Sequence, residues 1–133
     1  MLLRTDSRVH LTGMNWDMPP LYAAMDLVVL PTYREGFGIV AIEAAAMELP
    51  VVATEVPGCV DAVRDSVTGT LVPPRDAAAL TEAIRHYLRD PELRRRHGRA
   101  GRERMLREFR QEDIWEELYA EYTRLLQMRQ RTR

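Results

Sequence analysis

Short, mostly apolar runs recur along the chain, each bounded by turn-forming residues. They cover residues 27–31, 51–54 and 70–73. An apolar run without polar alternation is typical of a strand covered on both faces, as in a parallel sheet. Residues 8–11 form a further β-prone segment ahead of these runs. The pattern therefore predicts a small parallel sheet.

Helical spacing of apolar residues fills the intervals between these runs and continues to the end of the chain. Asp17 and Asp76 are predicted N-caps, and the spacing of Leu80, Ile84 and Leu88 predicts a buried helix face. The predicted helices cover residues 20–25, 39–49, 60–64, 76–89, 90–109 and 111–128. Strands that alternate with helices, followed by helices alone, predict an α/β fold. We expect a Rossmann-like small parallel sheet over residues 8–74 and a C-terminal helical cap over residues 76–128.

Length and charge limit the classes of protein to which this chain can belong. The chain has 133 residues, with 19 basic and 20 acidic side chains and a net charge of −1. This length predicts a single domain over residues 1–133 that needs no disulfide, in agreement with the lone Cys59. A charge near zero supplies no field to attract DNA or RNA, so we expect no nucleic-acid partner. We expect a cytoplasmic protein, because no apolar run approaches a bilayer span and residues 1–6 lack a signal-peptide pattern.

Histidines and basic side chains narrow the chemistry further. No histidine has a cysteine or carboxylate at metal-ligand spacing, and we expect His86 and His97 to face solvent. We therefore predict no metal site. All 19 basic residues are arginines, which excludes lysine chemistry such as Schiff bases.

The segment from Glu35 to Glu43 is the most informative part of the sequence. Gly36 and Gly38 follow a predicted buried strand and open a predicted helix, at the sheet edge where open α/β folds bind ligands. Glycines leave the backbone accessible, and the helix start carries about half a positive charge. A phosphate or a sugar hydroxyl suits this position. For a Gly-x-Gly taken alone, a simple tight turn is the alternative.

Two glutamates bound this segment, with seven residues between them. Glu43 lies nearly two helical turns beyond Glu35, which is too far for a shared metal but suits an elongated ligand with diols at both ends. We expect the helix over residues 39–49 to be apolar nearly all round and largely buried. A carboxylate there needs a structural or ligand partner, since an unpaired buried charge is costly.

A series of short motifs occurs in order along the chain. They are Leu21-Tyr22-Ala23-Ala24-Met25-Asp26, the segment from Glu35 to Glu43, Pro50-Val51-Val52-Ala53-Thr54, Pro57-Gly58, and Gly69-Thr70-Leu71-Val72-Pro73-Pro74. Together they resemble the C-terminal donor-binding domain of the family-4, or group 1, glycosyltransferases of the GT-B fold. The resemblance runs from about residue 8 to residue 126.

The resemblance implies roles for individual residues. Glu35 would be the catalytic-site glutamate that holds the hydroxyls of the transferred sugar, and Glu43 would accept both ribose hydroxyls of the nucleotide. The other implied donor-binding positions are Gly36, Phe37, Gly38 and Ile39. Members of the family transfer a sugar from a nucleotide diphosphate sugar to an acceptor, with retention of anomeric configuration and without a metal or cofactor.

The chain is shorter than a complete member of the family. A complete enzyme has an N-terminal domain that carries most of the acceptor site, and further strand–helix units supply cations for the diphosphate. We therefore expect a truncated GT-B C-terminal half, either a fragment or a split-gene product, that has little or no activity alone. A missing N-terminal domain or partner chain would complete it. Arg34 and Arg64 are candidate substitutes for those cations, with plain surface positions as the alternative.

Partners and an alternative function complete the expectations. The Pro57-Gly58-Cys59 variant resembles members that build polyprenyl-linked oligosaccharides, which implies a polyprenyl-linked or polysaccharide acceptor at the inner membrane face. In complete enzymes the last helix packs on the other domain, so we expect an exposed apolar stripe here, and self-association as a hypothesis. It comprises Ile114, Leu118, Tyr122 and Leu125. The alternative function is a noncatalytic nucleotide-sugar-binding or partner subunit that has lost transferase activity.

Overall fold

A three-stranded parallel sheet forms the centre of the fold. The computed structural model describes residues 6–131. Residues 1–5 and 132–133 of the predicted domain lie outside the described residues, as does most of the N-terminal segment that was compared with a signal peptide. The elements in chain order are α1 (Pro19–Ala23), β1 (Val28–Leu30), α2 (Ile39–Ala46), β2 (Val51–Thr54), α3 (Cys59–Ala62), β3 (Gly69–Val72), α4 (Ala77–Arg89), α5 (Pro91–Glu108) and α6 (Gln111–Arg131).

The strand order is β1-β2-β3, with all neighbours parallel. Val51 of β2 is in register with Val28 of β1 and with Gly69 of β3. Successive side chains point to opposite faces of a sheet, so each strand contributes to two apolar layers. Residues on the face covered by α2 and α3 are Val28, Leu30, Val51, Ala53 and Leu71. Residues on the face covered by α4 are Val29, Val52 and Val72.

Two helix starts behave differently from each other. The Asp76 carboxylate accepts a hydrogen bond from the Ala79 amide at 2.9 Å, as the sequence predicts for the cap of α4. The prediction of Asp17 as the cap of the first helix is wrong. Helix α1 begins at Pro19, so its cap position is Met18, which makes no side-chain capping bond.

The segment over residues 8–11 is not a strand, contrary to the prediction. The Arg8 amide and guanidinium instead bind the Asp6 carboxylate. β-Propensity describes how well a side chain fits on a sheet surface. A β-prone segment therefore forms no strand where no neighbouring strand pairs with it.

The buried face of α4 differs from the prediction at one position. Leu80 packs against the sheet, but Leu88 is 60% exposed and Tyr87 is fully buried in its place. Steps of four residues overshoot a full turn by about 40°, so a third residue in such a series has rotated away from the core.

Helix α5 packs closely on α2 through two glycines. A Cβ at Gly98 would lie 1.9 Å from the Glu48 carbonyl oxygen, and one at Gly101 would lie 3.2 Å from the Ala45 Cβ. The last turns of α5 also contact α3, because the buried Arg104 guanidinium donates to the carbonyl oxygens of Ala62 and Asp61, each at 2.7 Å. The predicted helical cap thus covers the helices as well as the sheet.

His97 is buried, so the expectation of a solvent-facing residue is wrong. Its Nδ1 atom lies 2.7 Å from the hydroxyl oxygen of Tyr87, which lies 3.0 Å from the Thr70 hydroxyl oxygen. Burial, reinforced by the nearby charge of Arg96, lowers the pKa of His97. The histidine is therefore a neutral member of a core hydrogen-bond chain.

Helix α6 presents the predicted apolar stripe to solvent. Ile114, Leu118, Tyr122 and Leu125 are between 47% and 59% exposed. Within residues 6–131, no helix combines the length and apolar character that spanning a membrane requires.

Candidate functional site

The loop between β1 and α2 lies at the carboxyl edge of the sheet. It is tied to β2 because the Thr54 hydroxyl donates to the Thr32 carbonyl oxygen. Gly38 is the cap residue of α2, and its carbonyl accepts the amides of Ala41 at 2.9 Å and Ile42 at 3.1 Å. No side chain caps this end of the helix, so its positive end faces the sheet edge.

The two glycines of the loop have different reasons to be glycine. Gly38 has a φ of +73°, and a Cβ there would lie 2.9 Å from the Ala62 Cβ and from the Gly58 carbonyl oxygen. Internal packing therefore requires Gly38. A Cβ at Gly36 would meet nothing within 4 Å. The sequence interpretation requires both glycines to leave the backbone open to a ligand. Of the two, Gly36 alone does so.

Gly58 holds the loop from the other side. Its φ is +84°, and a Cβ would lie 2.7 Å from the Glu35 carbonyl oxygen and 2.8 Å from that of Gly36. The turn before α3 thus rests directly on the backbone of the glycine loop. The Pro-Gly turn signal in the sequence marks this position but not its contact.

Glu35 is half-buried at the start of the loop. Its carboxylate accepts a hydrogen bond from the Gly36 amide at 3.1 Å. Burial, together with the negative charge of Glu35, raises the pKa of the Cys59 thiol. The carboxylate therefore lies at the edge of the core beside α3, and Cys59 stays a buried thiol.

Glu43 has a structural partner, as expected, but in an exposed setting. The Tyr22 hydroxyl donates to a Glu43 carboxylate oxygen at 2.9 Å. Burial and this bond to Glu43 raise the pKa of Tyr22 to about 12. The expectation that the helix is buried nearly all round is wrong, since Ile39 is 60% and Val40 42% exposed. Only the small residues on one side of α2, Ala41, Ala44 and Ala45, are fully packed.

One cavity lies between α1 and α2, and another lies at the carboxyl edge of the sheet. The first, of about 300 Å³, is lined by Glu43 and Tyr22 together with Trp16 from the segment before α1. Glu35 is not among its lining residues, so this cavity does not bring the two carboxylates together. The other, of about 380 Å³, lies at the ends of the strands and includes Tyr33 and Arg75. The Arg75 guanidinium stacks 5.5 Å above the Tyr33 ring.

Aromatic and guanidinium contacts support the loop from α5. The Phe37 ring lies 5.9 Å from the Phe109 ring, and the Arg104 guanidinium lies 5.3 Å from the centre of the same Phe109 ring. Arg104 also binds the end of α3, so one buried cation links α3 to Phe109, which contacts the loop residue Phe37. The sequence offers no signal for this role, because Arg104 is one of several arginines in a charged helix.

The two arginines that the sequence offers as cations for the diphosphate differ in their contacts. The Arg64 guanidinium binds the Glu108 carboxylate at 3.0 Å, which leaves it paired within the chain. Arg34 is exposed on the loop itself. Among residues 6–131, no three histidine, cysteine, aspartate or glutamate side chains cluster closely enough to hold a metal ion.

An open parallel sheet with a glycine loop and an uncapped helix at its carboxyl edge defines the class of Rossmann-like α/β proteins that bind ligands at that edge. The family model described as "Glycosyl transferases group 1" matches residues 3–104. The chain belongs to the group 1 glycosyltransferase family, as the motifs indicate.

Several known proteins are similar to this chain in sequence and in fold. CapM of Staphylococcus aureus, a capsular polysaccharide biosynthesis glycosyltransferase, is 43% identical over 105 residues, or 79% of this chain and 28% of CapM. Sucrose-phosphate synthase of Thermosynechococcus elongatus superposes with a TM-score of 0.80 and 41% identity over 84% of this chain and 28% of that one. Anabaena Alr3699/HepE, in complex with UDP-glucose, superposes with a TM-score of 0.78 and 29% identity over 86% of this chain and 33% of that one.

These neighbours are GT-B glycosyltransferases, and they confirm the predicted α/β fold class. The chain spans 28% to 33% of the length of these three relatives.

Proposed function

We propose that this chain is the donor-binding part of a glycosyltransferase that transfers a sugar from a nucleotide diphosphate sugar to an acceptor, with retention and without a metal. The uncapped start of α2 beside the open backbone at Gly36 carries the proposal. Its free amides and partial positive charge suit a diphosphate or sugar oxygen. Membership of the group 1 family and the UDP-glucose complex of a structural neighbour support the same substrate class.

Glu43 is the proposed ribose-binding residue. Its carboxylate lines a cavity large enough for part of a nucleotide, and the Tyr22 hydroxyl occupies one of its oxygens. A carboxylate has about four lone-pair sites, so acceptor capacity is left for a vicinal diol. The bond from Tyr22 fixes the direction of the carboxylate before the ligand arrives.

Glu35 is the proposed sugar-binding residue, and Phe37 and Ile39 complete the donor surface with the loop backbone. Among residues 6–131, the Glu35 carboxylate bonds to the adjacent amide of Gly36 alone, so a sugar hydroxyl can replace that weak local contact. Because a helix start supplies only about half a charge against a diphosphate of −2 to −3, further cations have to come from outside these residues. The further strand–helix units that open the donor domain in complete members of the family would supply them, and a missing N-terminal domain or partner chain would supply the acceptor site.

The acceptor is proposed as a polysaccharide or polyprenyl-linked saccharide at the inner face of the membrane. The similarity to the capsular polysaccharide enzyme CapM supports a polymer-building role. The alternative, a noncatalytic nucleotide-sugar-binding subunit, shares the donor site and differs only in turnover.

Calorimetric titration of the chain with UDP and GDP tests the ribose role of Glu43. We expect Glu43→Ala to weaken binding of the preferred nucleotide at least 10-fold, since charge-assisted hydrogen bonds contribute about 1.5–3 kcal/mol each. Glu82→Ala is the matched control, because Glu82 is an exposed glutamate whose carboxylate pairs with Arg85 on α4. Equal affinity in the wild type and Glu43→Ala would contradict the ribose role.

Turnover separates the transferase from its alternative. We expect the chain alone to bind donor weakly and to transfer little or no sugar, because the acceptor site lies outside it. Addition of an N-terminal glycosyltransferase domain as a second chain should restore transfer if the chain is a transferase half. Donor binding without restored transfer would favour the noncatalytic subunit, and rapid transfer by the chain alone would refute the proposal of an incomplete site.

A further inference from the structure

Positive charge is concentrated on helix α5. This helix contains seven of the 19 arginines and three glutamates, whereas the whole chain has a net charge of −1. At 100° per residue, five of these arginines fall within an arc of about 140° on the side opposite the buried residues of the helix. They are exposed, as are Leu106, Glu92 and Glu103 in the same arc. The five arginines, here called the α5 basic face, are Arg95, Arg96, Arg99, Arg102 and Arg107.

Carboxylates of the chain neutralise the α5 basic face only in part. Arg107 shares the single carboxylate of Glu108 with two further arginines. Among residues 6–131, no carboxylate lies within ion-pair distance of Arg96 or Arg99. A protein domain that covered this face would bury guanidinium groups without a partner, which is costly. The face therefore suits an environment that supplies anions.

Guanidinium groups also line a cavity on this face. Arg95, Arg96 and Arg99 contribute to its wall, and its volume is about 350 Å³. A guanidinium group binds phosphate oxygens through paired N–H donors. The headgroups of a phospholipid surface present many such oxygens in one plane, which suits arginines that lie along one side of a helix.

The side chains beside the arginines distinguish a membrane from a nucleic acid. No aromatic residue lies in the arc of the α5 basic face, so the face offers bases nothing on which to stack. Leu106 lies within the arc and is 62% exposed. An apolar side chain among arginines is typical of helices that lie in a membrane interface, where it enters the layer below the headgroups.

The direction of α5 brings the basic face to the donor loop. Gly98 packs against the Glu48 carbonyl just beyond the end of α2, and Phe109 contacts Phe37 just before its start. Helix α5 therefore runs antiparallel to α2, towards the carboxyl edge of the sheet. A surface that lies along α5 also lies beside the glycine loop.

We infer that the α5 basic face docks reversibly on an anionic phospholipid membrane and thereby holds the donor loop near a membrane-linked acceptor. The docking rests on α5 alone, whereas its benefit for sugar transfer rests on the proposed function. Each arginine near an anionic surface strengthens binding roughly five-fold. The five arginines and two glutamates of the arc thus give a preference of roughly 100-fold over a neutral surface.

Co-sedimentation of the full chain with vesicles measures this docking. We expect binding to phosphatidylcholine vesicles that contain about 30% phosphatidylglycerol, no binding to pure phosphatidylcholine, and loss of binding as the salt rises from about 0.1 to 0.5 M. Equal binding to both kinds of vesicle, or to neither, would overturn the inference.

A pair of double variants tests the face itself. Arg96→Gln/Arg99→Gln should weaken binding to the anionic vesicles at least 10-fold, because it removes the two unpaired cations. Arg85→Gln/Arg124→Gln is the matched control, since it removes the same charge from exposed positions on α4 and α6. Circular dichroism checks that all variants are folded. An equal loss in both double variants, or none in the first, would contradict docking through α5.

RNA of about 20 nucleotides is the competing polyanion. Binding to the RNA that is tighter than binding to the vesicles and is lost in Arg96→Gln/Arg99→Gln would assign the face to a nucleic acid and overturn the inference.

An environment-sensitive dye tests the orientation of the chain on the membrane. The thiol introduced by Leu106→Cys takes the label, because the native Cys59 is fully buried. We expect the emission of the dye at position 106 to shift to the blue on anionic vesicles. A dye at the exposed position 82 of α4, introduced by Glu82→Cys, should show no shift. A shift at position 82 without one at position 106 would contradict the inferred orientation.

Titration with UDP separates this inference from the proposed function. Arg96→Gln/Arg99→Gln should bind UDP as the wild type does, because neither position lies in the donor loop. A wild type that binds anionic vesicles but no nucleotide would refute the proposed function and retain the docking. A wild type that binds nucleotide but no vesicles would refute the docking alone.

Discussion

Substitutions at Gly36 and Gly38 test the proposed ligand binding and the folding of the loop separately. We expect Gly36→Ala to leave stability unchanged or raise it by up to about 1 kcal/mol, because its Cβ meets open space. Nucleotide-sugar binding should nevertheless fall, since the added methyl group occupies the approach to the loop backbone. Gly38→Ala should cost about 2 kcal/mol or more, from its φ of +73° and contacts at 2.9 Å.

Chemical denaturation and calorimetric titration measure the two quantities on the same samples. Unchanged donor affinity in a stable Gly36→Ala variant would show that the ligand does not approach the backbone there. A Gly38→Ala variant as stable as the wild type would remove the packing explanation for that glycine.

Individual side chains were predictable only in part. The spacing of Glu35 and Glu43 indicated one carboxylate at the start of a helix and one within it, and the need of Glu43 for a partner followed from the cost of an unpaired charge. Its partner, Tyr22, lies 21 positions away along the chain, so no local pattern identifies it. Similarly, Tyr87 rather than Leu88 is buried because helix rotation, not residue type, decides which apolar side chain faces the core.

Helix α5 depends on close contact with the end of α2. We expect Gly98→Ala to reduce the free energy of unfolding by about 1–3 kcal/mol, because its Cβ would overlap the Glu48 carbonyl oxygen. Gly101→Ala is the comparison, since its Cβ would lie 3.2 Å from a methyl group and alanine is the better helix former by about 1 kcal/mol. Urea unfolding compares the two variants, and a larger loss in Gly101→Ala would contradict the packing described.

Most helices and strands follow from the sequence, with differences at their ends. Unbroken apolar runs predicted β1, β2 and β3 because strands covered on both faces have no polar side to reveal an alternation. Helix α2 ends at Ala46, before the predicted stop at Pro50. The segment over residues 8–11 had the composition of a strand without a neighbour to pair with, which composition alone does not reveal.

Acidification should destabilise the whole fold through His97. Burial keeps the pKa of His97 below the ordinary value of 6.5, so the unfolded chain binds a proton more readily than the folded one. The free energy of unfolding should therefore be highest above pH 6.5 and fall as the pH decreases towards the lowered pKa. Because the His97 ring is buried and bonded to Tyr87, water cannot solvate a positive charge on it.

Urea unfolding between about pH 5 and 8 checks this dependence. His97→Gln should flatten the slope, whatever its effect on stability at pH 8. If His97→Gln retains the full slope, another group is responsible.

The overall architecture was predictable to a greater degree than the site. Motif order and strand–helix alternation indicated the α/β fold and the family, and both are confirmed. The support of the glycine loop by Gly58, Phe109 and Arg104 was not predictable, because these residues come from separate elements that only the folded chain brings together. The single domain over residues 1–133, the absence of cofactors and the cytoplasmic location stay predictions.

The contact of Gly58 with the glycine loop limits how this sequence can vary. Any side chain at position 58 would displace the carbonyl groups of Glu35 and Gly36, so a change there cannot be accepted without a compensating change in a loop more than 20 positions earlier. In a library randomised at position 58 and selected for donor binding, glycine alone should survive. Diversification of donor preference in such a scaffold has to proceed through neighbouring positions whose side chains point outward.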